Sequence, residues 1–128
     1  EALRESRQAG PVPLDAADEL SYCHPKVSER VFRQLRRGEF SIQDEIDLHH
    51  LRAADAEALL KQFLTQARRG HHPCVRIVHG KGLRSGHRGP VLKAALNGWL
   101  RRYRAVQAFC SARQPDGGSG AIYVLLDG

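Results

Sequence analysis

Hydrophobic and polar residues alternate along the stretch SIQDEIDLH, residues 41–49, as they do in a β-strand that buries one face. Successive side chains of a strand point to opposite sides of the sheet, so residues two apart share a face. The face assigned to the core carries Ile42, Ile46 and Leu48, together with Asp44. The opposite face carries Glu45, Asp47 and His49. The pattern therefore predicts a strand with one buried side and one polar side.

Apolar residues spaced three and four apart predict three helices. The first begins after Ser28, whose hydroxyl can cap it, and stops at Gly38. The second lies between Arg52 and Gly70 and carries the apolar stripe Ala56, Leu59, Leu60, Phe63, Leu64 and Ala67. The third covers residues 89–103 and carries the stripe Val91, Leu92, Ala95, Leu96, Trp99 and Tyr103.

Three further apolar runs predict strands at residues 73–78, 105–112 and 119–126, the last two joined by the turn RQPDGG. The resulting order, β-α-β-α-β-β, predicts an α/β domain of two or three layers with a mixed four-stranded sheet. Residues 1–24 are polar and contain GPVP, and they are predicted to form a flexible leader. We expect the domain to cover residues 25–128, with its core at 41–128 and the first helix as an N-terminal extension.

The chain has 128 residues, the size of one ordinary domain. No apolar run approaches the roughly 20 residues of a membrane-spanning helix, and the first residues lack the apolar block of a secretory signal. Cys23, Cys74 and Cys110 are odd in number and lack C-x-x-C spacing, which argues against a disulfide framework and a structural zinc site. We therefore expect a monomer in the reducing cytoplasm, away from membranes, with its cysteines buried.

Charge is distributed unevenly along the chain, whose formal net charge is +6. Twelve of the fourteen acidic residues lie at or before Glu57. The span from Ala58 to Pro115 contains no Asp or Glu but twelve Lys and Arg residues. A surface of one charge sign attracts polyanions over about a Debye length, roughly 8–10 Å. Solvated helix faces would explain any single arginine, but the length of the span favours a polyanionic partner.

Two strands of the predicted sheet end in unusual polar residues. The first ends in DLHHL, where Asp47 and His49 share a face, so the carboxylate can orient the imidazole and raise its basicity. The next ends in HGKGLRSG, which begins at His79 and contains Gly80, Lys81, Gly82, Arg84 and Ser85. Loops after the strands of an α/β domain gather at one edge. We expect a phosphate between the two loops, bound by the lysine and by backbone amides that glycines leave accessible.

Each motif also has a purely structural interpretation. Asp47 could fasten the start of the following helix, and HGKG could be a charged glycine turn. PDGGSG could be a tight hairpin connection. Alternatively, Gly117, Gly118 and Gly120 would let a sugar-phosphate chain approach the backbone, and Ser119 would donate to a phosphate oxygen. The coincidence of two polar strand ends inside a basic region favours a functional site.

The segments DEIDLHHL, VRIVHGKGLRSG, VLKAALNGWL and DGGSGAIYVLL, in this order, resemble the small MutS-related (Smr) domain family over residues 25–128. The resemblance implies a compact α/β domain similar to the C-terminal domain of bacterial translation initiation factor three. It also implies nucleic-acid endonuclease activity, which is reported for several branches. Stand-alone bacterial members, which this chain resembles, are described as nicking endonucleases or as nucleases acting on messenger RNA at stalled ribosomes.

Carried over by position, the D-L-H motif of the family falls on Asp47, Leu48 and His49, and its H-G-x-G motif falls on residues 79–82. The chain departs from the family pattern at His50, where glycine is usual, and at Arg52, where Ser or Thr would cap the helix. His50 is predicted to face away from His49 and only to start the turn. Neither departure removes a catalytic group, but the first leaves substrate choice open.

These observations lead to the hypothesis of an endonuclease acting on RNA or DNA. Asp47 would orient His49 as a general base, and His79 would bind or protonate the phosphate. Lys81 would stabilise the developing charge together with the amides of Gly80 and Gly82.

The need for a metal depends on the nucleophile. Attack by the 2′-hydroxyl of RNA needs no metal, whereas DNA requires an activated water, for which Glu45 and Asp47 could hold a magnesium ion. One alternative hypothesis is a non-catalytic module that binds nucleic acid or the ribosome. Another is an enzyme acting on mononucleotides, for which the basic span is longer than one phosphate requires.

Overall fold

A computed structural model describes residues 18–80 and 88–127, with residues 88–90 described by their backbone alone. Its elements in chain order are β1 (Ser21–Cys23), α1 (Glu29–Arg36), β2 (Asp44–Asp47), α2 (Ala53–Arg69), β3 (Cys74–Val78), α3 (Arg88–Arg102), β4 (Val106–Ser111) and β5 (Ala121–Leu126). Two single-turn 3-10 helices, Gln114–Asp116 and Gly118–Gly120, join β4 to β5. None of the helices in the described ranges is long and apolar enough to cross a membrane.

The strands form one mixed sheet in the order β1-β4-β5-β3-β2. β2 and β3 are parallel, and the other three pairs are antiparallel. Helix α2 provides the crossover that two parallel neighbours require. Because β2 and β3 are adjacent and parallel, the segments that follow them emerge at the same edge of the sheet. The predicted α/β class with a mixed sheet is confirmed.

The predicted number of strands was wrong, because the residues that the structure describes form a sheet of five strands rather than four. The additional strand, β1, lies in the segment predicted as a flexible leader. It pairs with β4, and Leu20 exchanges hydrogen bonds with Ser111 of β4 through its N–H and its C=O. The ring of Tyr22 stacks on Phe109, with 5.3 Å between the ring centroids. A three-residue strand has too little periodicity to detect, and these tertiary contacts are what stabilise it.

Helices cover both faces of the sheet, giving three layers. On one face, α2 and α3 pack over Val75, Ile77, Phe109, Ile122 and Val124. On the other, α1 packs through Leu35 over Cys74, Ala108, Cys110, Tyr123 and Leu125. All six residues of the central strand β5 are buried. β2 and β3 are thus held in the sheet between helical layers, which sets the relative positions of Asp47 and Val78 at the ends of the two strands.

The predicted helices are confirmed, although one residue of each of two predicted apolar stripes is exposed rather than buried. Ser28 caps α1 as predicted, its hydroxyl accepting the N–H of Val31 at 3.2 Å. Leu59 of α2 and Val91 of α3, both assigned to apolar stripes, are 44% and 57% exposed. Lys93 is instead buried at 1% exposure, where its ammonium donates to the backbone carbonyl of Asp18. A buried cation with a backbone partner cannot be recognised from helical periodicity.

Candidate active site

Asp47 and His49 form a hydrogen-bonded pair at the end of β2. Nδ1 of His49 lies 2.5 Å from Oδ1 of Asp47, and the same oxygen accepts the backbone N–H of His49 at 3.0 Å. About half of each side chain is exposed, 49% for Asp47 and 47% for His49. The expected proximity of the two side chains is confirmed. The pair is fixed by local geometry and is open to a ligand from solution.

This geometry selects one protonation form of the neutral imidazole. A carboxylate accepts hydrogen bonds, so Nδ1 of His49 carries the proton and Nε2 keeps its lone pair. Partial burial acts to raise the pKa of Asp47, but the hydrogen bonds from the side chain and backbone of His49, with the nearby imidazoles, outweigh it and leave the pKa lowered. Asp47 therefore stays ionised and holds His49 as a proton acceptor.

Gly80, which follows β3, lies against His49. Asp47 of β2 pairs with Val78 of β3, and the N–H of Leu48 donates to the carbonyl of Val78 at 2.7 Å. Gly80 has a φ of +83°, and a β-carbon placed on it would lie 3.2 Å from Cβ of His49. A side chain at this position would therefore crowd the imidazole and strain the backbone. The two motifs meet at one edge of the sheet, as their positions after successive strands predicted.

His79 lies below the surface rather than at it. Its exposure is 2%, and its Nδ1 lies 2.9 Å from the carbonyl oxygen of Gly80. Its buried Nε2 has no hydrogen-bond partner among the described residues. Burial lowers the pKa of His79 to about 4, and the charge of Lys93 acts in the same direction. The imidazole is therefore neutral at neutral pH, and this placement does not favour the predicted direct contact of His79 with a phosphate.

The turn before β5 holds the start of the H-G-x-G segment. The N–H groups of His79 and Gly80 both donate to the carbonyl of Gly120, at 2.9 and 3.0 Å. The amide of Gly80 is thus engaged and is not available for the phosphate, contrary to the sequence-based expectation. The remaining predicted residues of this segment, Lys81, Gly82, Arg84 and Ser85, lie outside the described residues.

The glycines after β4 are explained by the turn itself. Gly117 and Gly118 have φ values of +116° and +55°. A β-carbon on Gly117 would lie 2.7 Å from Cβ of Ala121, and one on Gly118 would lie 2.9 Å from the side chain of Gln114. Gly118 is buried and Ser119 is half-buried. The hairpin interpretation therefore accounts for both glycines, while a contact of Ser119 with phosphate stays a prediction.

A polar network that strand periodicity does not reveal lies beside the pair. Arg76 of β3 is in register with Glu45 of β2, and its Nη2 lies 2.5 Å from Oε1 of Glu45. Its Nη1 donates to the backbone carbonyl of Asp116 at 2.8 Å. The hydroxyl of Tyr123 donates to the carboxylate of Asp116 and accepts the N–H of Arg113. A lone arginine inside an apolar strand was the available signal for such a network.

This network bears on the predicted metal site. The carboxylate of Glu45 is turned to the guanidinium of Arg76, so Glu45 would have to leave this ion pair to join Asp47 around a magnesium ion. Within residues 18–80 and 88–127, no three His, Cys, Asp or Glu side chains are grouped as metal ligands would be.

The predicted orientation of His50 was wrong. Its ring centroid lies 4.3 Å from that of His49, with 57° between the ring planes. The reason is that His50 has a φ of +69°, which ends the strand alternation. This left-handed conformation is the one that glycine adopts without steric cost. Arg52 occupies the N-cap of α2 without a side-chain capping bond, as the absence of Ser or Thr predicted.

Comparison with known proteins agrees with this fold and its motifs. The Smr domain family matches residues 46–127. Ribosome rescue factor SmrB of Pectobacterium carotovorum is 34% identical over 113 residues, covering 88% of this chain and 59% of that protein. Ribosome rescue factor SmrB of Escherichia coli is 32% identical over 114 residues, covering 89% of this chain and again 59% of the relative. The chain thus spans less than two thirds of the length of these relatives.

Two solved structures are also similar. The crystal structure of YdaL, a stand-alone small MutS-related protein from Escherichia coli, superposes with a TM-score of 0.82 at 25% identity, covering 95% of this chain and 93% of that one. The Smr domain of Thermus thermophilus MutS2 gives a TM-score of 0.58 at 33% identity, covering 66% of this chain and 99% of that one. The chain therefore belongs to the Smr domain family.

Proposed function

We propose that the protein is an endonuclease that cleaves phosphodiester bonds of RNA by acid–base catalysis. The observation that carries the proposal is the exposed Asp47–His49 pair, in which the carboxylate fixes Nδ1 and leaves Nε2 as a base. An oriented carboxylate–imidazole pair at the edge of a sheet is suited to proton transfer. The absence of a side chain on Gly80 lets the end of β3 lie against Cβ of His49, which supports the position of the imidazole at this edge.

The proposed reaction uses the substrate's own 2′-hydroxyl as nucleophile. Nε2 of His49 takes the hydroxyl proton while the 2′-oxygen attacks phosphorus and the bond from phosphorus to the 5′-oxygen breaks. The leaving oxygen takes a proton from the imidazolium or from water, giving a 2′,3′-cyclic phosphate and a 5′-hydroxyl. Asp47, kept ionised by its lowered pKa, stabilises the imidazolium between these steps.

His79 acts in this proposal as a positioning residue rather than as a group that touches the phosphate. It is buried and neutral, and its backbone N–H ties the end of β3 to Gly120. Lys81 and the amide of Gly82 remain the proposed partners of the developing negative charge. For a DNA substrate, the proposal remains that Glu45 and Asp47 hold a magnesium ion. Glu45 would then have to leave its ion pair with Arg76.

The ribosome is the proposed setting of this activity. Two of the similar proteins are named ribosome rescue factors, although this chain covers 59% of their length. The span from Ala58 to Pro115, free of acidic residues, would favour an RNA-rich surface of this kind. A module that binds the ribosome without cleaving RNA is the alternative proposal, since the same names and charge support it.

The test is to incubate the protein with end-labelled RNA and with DNA of the same sequence, each with magnesium and with EDTA. We expect cleavage of RNA that persists in EDTA, with cyclic phosphate termini, and we expect His49→Ala to abolish it. Cleavage of DNA only with magnesium would support the metal-dependent route instead. If the folded parent protein cuts neither substrate but still binds RNA, the non-catalytic module is correct.

A further inference from the structure

A second candidate binding site lies at the end of the sheet opposite the Asp47–His49 pair. β5 begins at Ala121, which pairs with Val78 beside the active edge, and ends at Leu126, which pairs with the first residue of β4. Six residues of strand span roughly 17 Å at about 3.4 Å per residue. A groove of about 770 Å³ opens at this far end, where β1, α3 and β5 end and β4 begins.

The groove carries a marked excess of positive charge. Four of its lining residues are always or nearly always cationic: Lys26, Arg101, Arg102 and Arg104. Asp127 is the one acidic residue among the described residues that line it, and its Oδ1 accepts a hydrogen bond from Nε of Arg68, outside the groove, at 2.6 Å. Arg68 therefore neutralises this carboxylate. The negative end of the α3 dipole faces the same region, but it amounts to about half a charge.

Arg101 is held in place without being neutralised. Its guanidinium lies 5.1 Å from the ring centroid of Tyr22 and 5.6 Å from that of Phe109. Its Nε donates to Oδ1 of Asn97 at 3.1 Å, and Nη2 donates to the carbonyl of Ser21 at 3.4 Å. All of these partners are uncharged, so the positive charge is fixed in position and retained. A fixed guanidinium loses little conformational entropy when it binds a phosphate.

Further hydrogen-bond donors line the same groove. Nδ1 of His24 accepts the backbone N–H of Lys26 at 3.1 Å, so the neutral ring carries its proton on Nε2. The side chains of Lys26 and Arg104 are exposed. The groove thus offers cations and N–H donors, with no uncompensated carboxylate among the described residues.

We propose that this groove binds the phosphodiester backbone of nucleic acid, as a contact separate from the Asp47–His49 pair. The fixed guanidinium of Arg101 and the exposed cations beside it match phosphate oxygens. The ring of Tyr22 already stacks on Phe109 and lies beneath Arg101, so it does not offer a platform for a base. Recognition in this groove is therefore of the backbone and independent of sequence. The inference does not depend on whether the active edge cleaves RNA.

The test compares two charge reversals of equal size. Lys26→Glu/Arg104→Glu changes exposed groove residues, and Arg30→Glu/Arg33→Glu changes exposed residues of α1 as the matched control. Binding of a fluorescent 20-nucleotide oligo(U) is measured by anisotropy across a salt series, with His49→Ala present in every protein to prevent cleavage. We expect the groove variant to lose about tenfold or more in affinity and to lower the log–log salt slope by roughly 1.4, that is, about 0.7 for each of two lost phosphate contacts. The control should lose less than twofold.

Equal losses in both variants, or no loss in the groove variant, would overturn the inference. Displacement of the RNA by poly-glutamate of matched charge and concentration would indicate an acidic protein partner instead and would also overturn it. Circular dichroism must show folded variants, and Lys26→Gln/Arg104→Gln replaces the reversal if that variant is unfolded. Cleavage of a dinucleotide, too short to reach both sites, should be unchanged in the groove variant of the parent protein. If the parent cleaves nothing but the groove variant still loses binding selectively, the proposed cleavage fails and this inference stands.

Discussion

Gly80 lies directly against His49, so that a β-carbon on Gly80 would be 3.2 Å from Cβ of His49, inside the usual contact distance. The contact links the end of β2 to the end of β3, two parallel neighbours whose following segments leave the sheet at one edge. The position of the imidazole therefore depends on a residue thirty-one positions away in the chain. That residue has to be glycine for two reasons: its φ is +83°, and there is no room for a side chain.

We expect Gly80→Ala to lower RNA cleavage by about tenfold or more in the folded protein, because it displaces His49 and strains the backbone. The matched control is Gly117→Ala, which has a φ of +116° and would bring a β-carbon to 2.7 Å from Cβ of Ala121. The control should lower thermal stability while the folded fraction keeps its activity. Single-turnover rates corrected for folded fraction distinguish the two, and equal activity losses would contradict the assigned role of Gly80.

Asp47→Asn should lower the cleavage rate by about 10²–10⁴-fold, the usual scale of general acid–base catalysis, because an amide no longer fixes the proton on Nδ1 of His49. His49→Ala should have a similar effect, and the double variant should cost scarcely more than either single one, since the pair acts as a unit. Binding of RNA should change little in all three. Because the pKa of Asp47 is lowered, the carboxylate should not be the group that limits activity as the pH falls from 7 to 5. Additive losses in the double variant would show that the two residues act separately.

His50→Gly should stabilise the protein by roughly 0.5–1 kcal/mol. The substitution removes the steric cost of a left-handed conformation, and this gain is larger than the extra backbone entropy that glycine loses on folding. His71→Gly is the control, since His71 has a φ of +58° in the turn between α2 and β3, away from the active edge. Both should raise the midpoint of thermal unfolding by a few degrees. Only His50→Gly should change the pH dependence of cleavage, because its ring lies 4.3 Å from that of His49. Identical pH profiles in both variants would rule out an influence of His50 on His49.

Acidification should destabilise the protein through His79. Burial lowers the pKa of His79 from its ordinary value of 6.5 to about 4 in the folded chain. Between pH 4 and pH 6.5 the unfolded chain therefore binds a proton at this residue and the folded chain does not. The free energy of unfolding therefore has its full value above pH 6.5 and decreases as the pH falls towards 4. The decrease is about 3 kcal/mol, at 1.36 kcal/mol per unit of pKa difference. His79→Gln should lose less stability over this range, as measured by urea unfolding at a series of pH values. Parallel curves for parent and variant would exclude this role, and His24→Gln serves as the control because His24 lies at the surface groove.

The sequence by itself determined the elements that depend on local spacing. Alternation over residues 41–49 placed Asp47 and His49 on one face, and helical spacing located all three helices, including the cap at Ser28. The meeting of the D-L-H and H-G-x-G motifs also followed from the sequence, because strands joined by a crossover helix end at the same edge. Such properties rest on backbone periodicity and chain direction, and both can be read along the sequence.

Only the tertiary structure decided the features that depend on contacts between distant residues. β1 exists because Leu20 and Tyr22 pair and stack with β4, and Glu45 is engaged because Arg76 lies in register beside it. His79 is buried because β3 is enclosed in the sheet, so its desolvated ring stays neutral. Burial and side-chain pairing are set by how helices and strands stack on each other, and that stacking has no periodicity in the chain. The accessibility and the partners of the polar residues were therefore set by packing and not by their order along the chain.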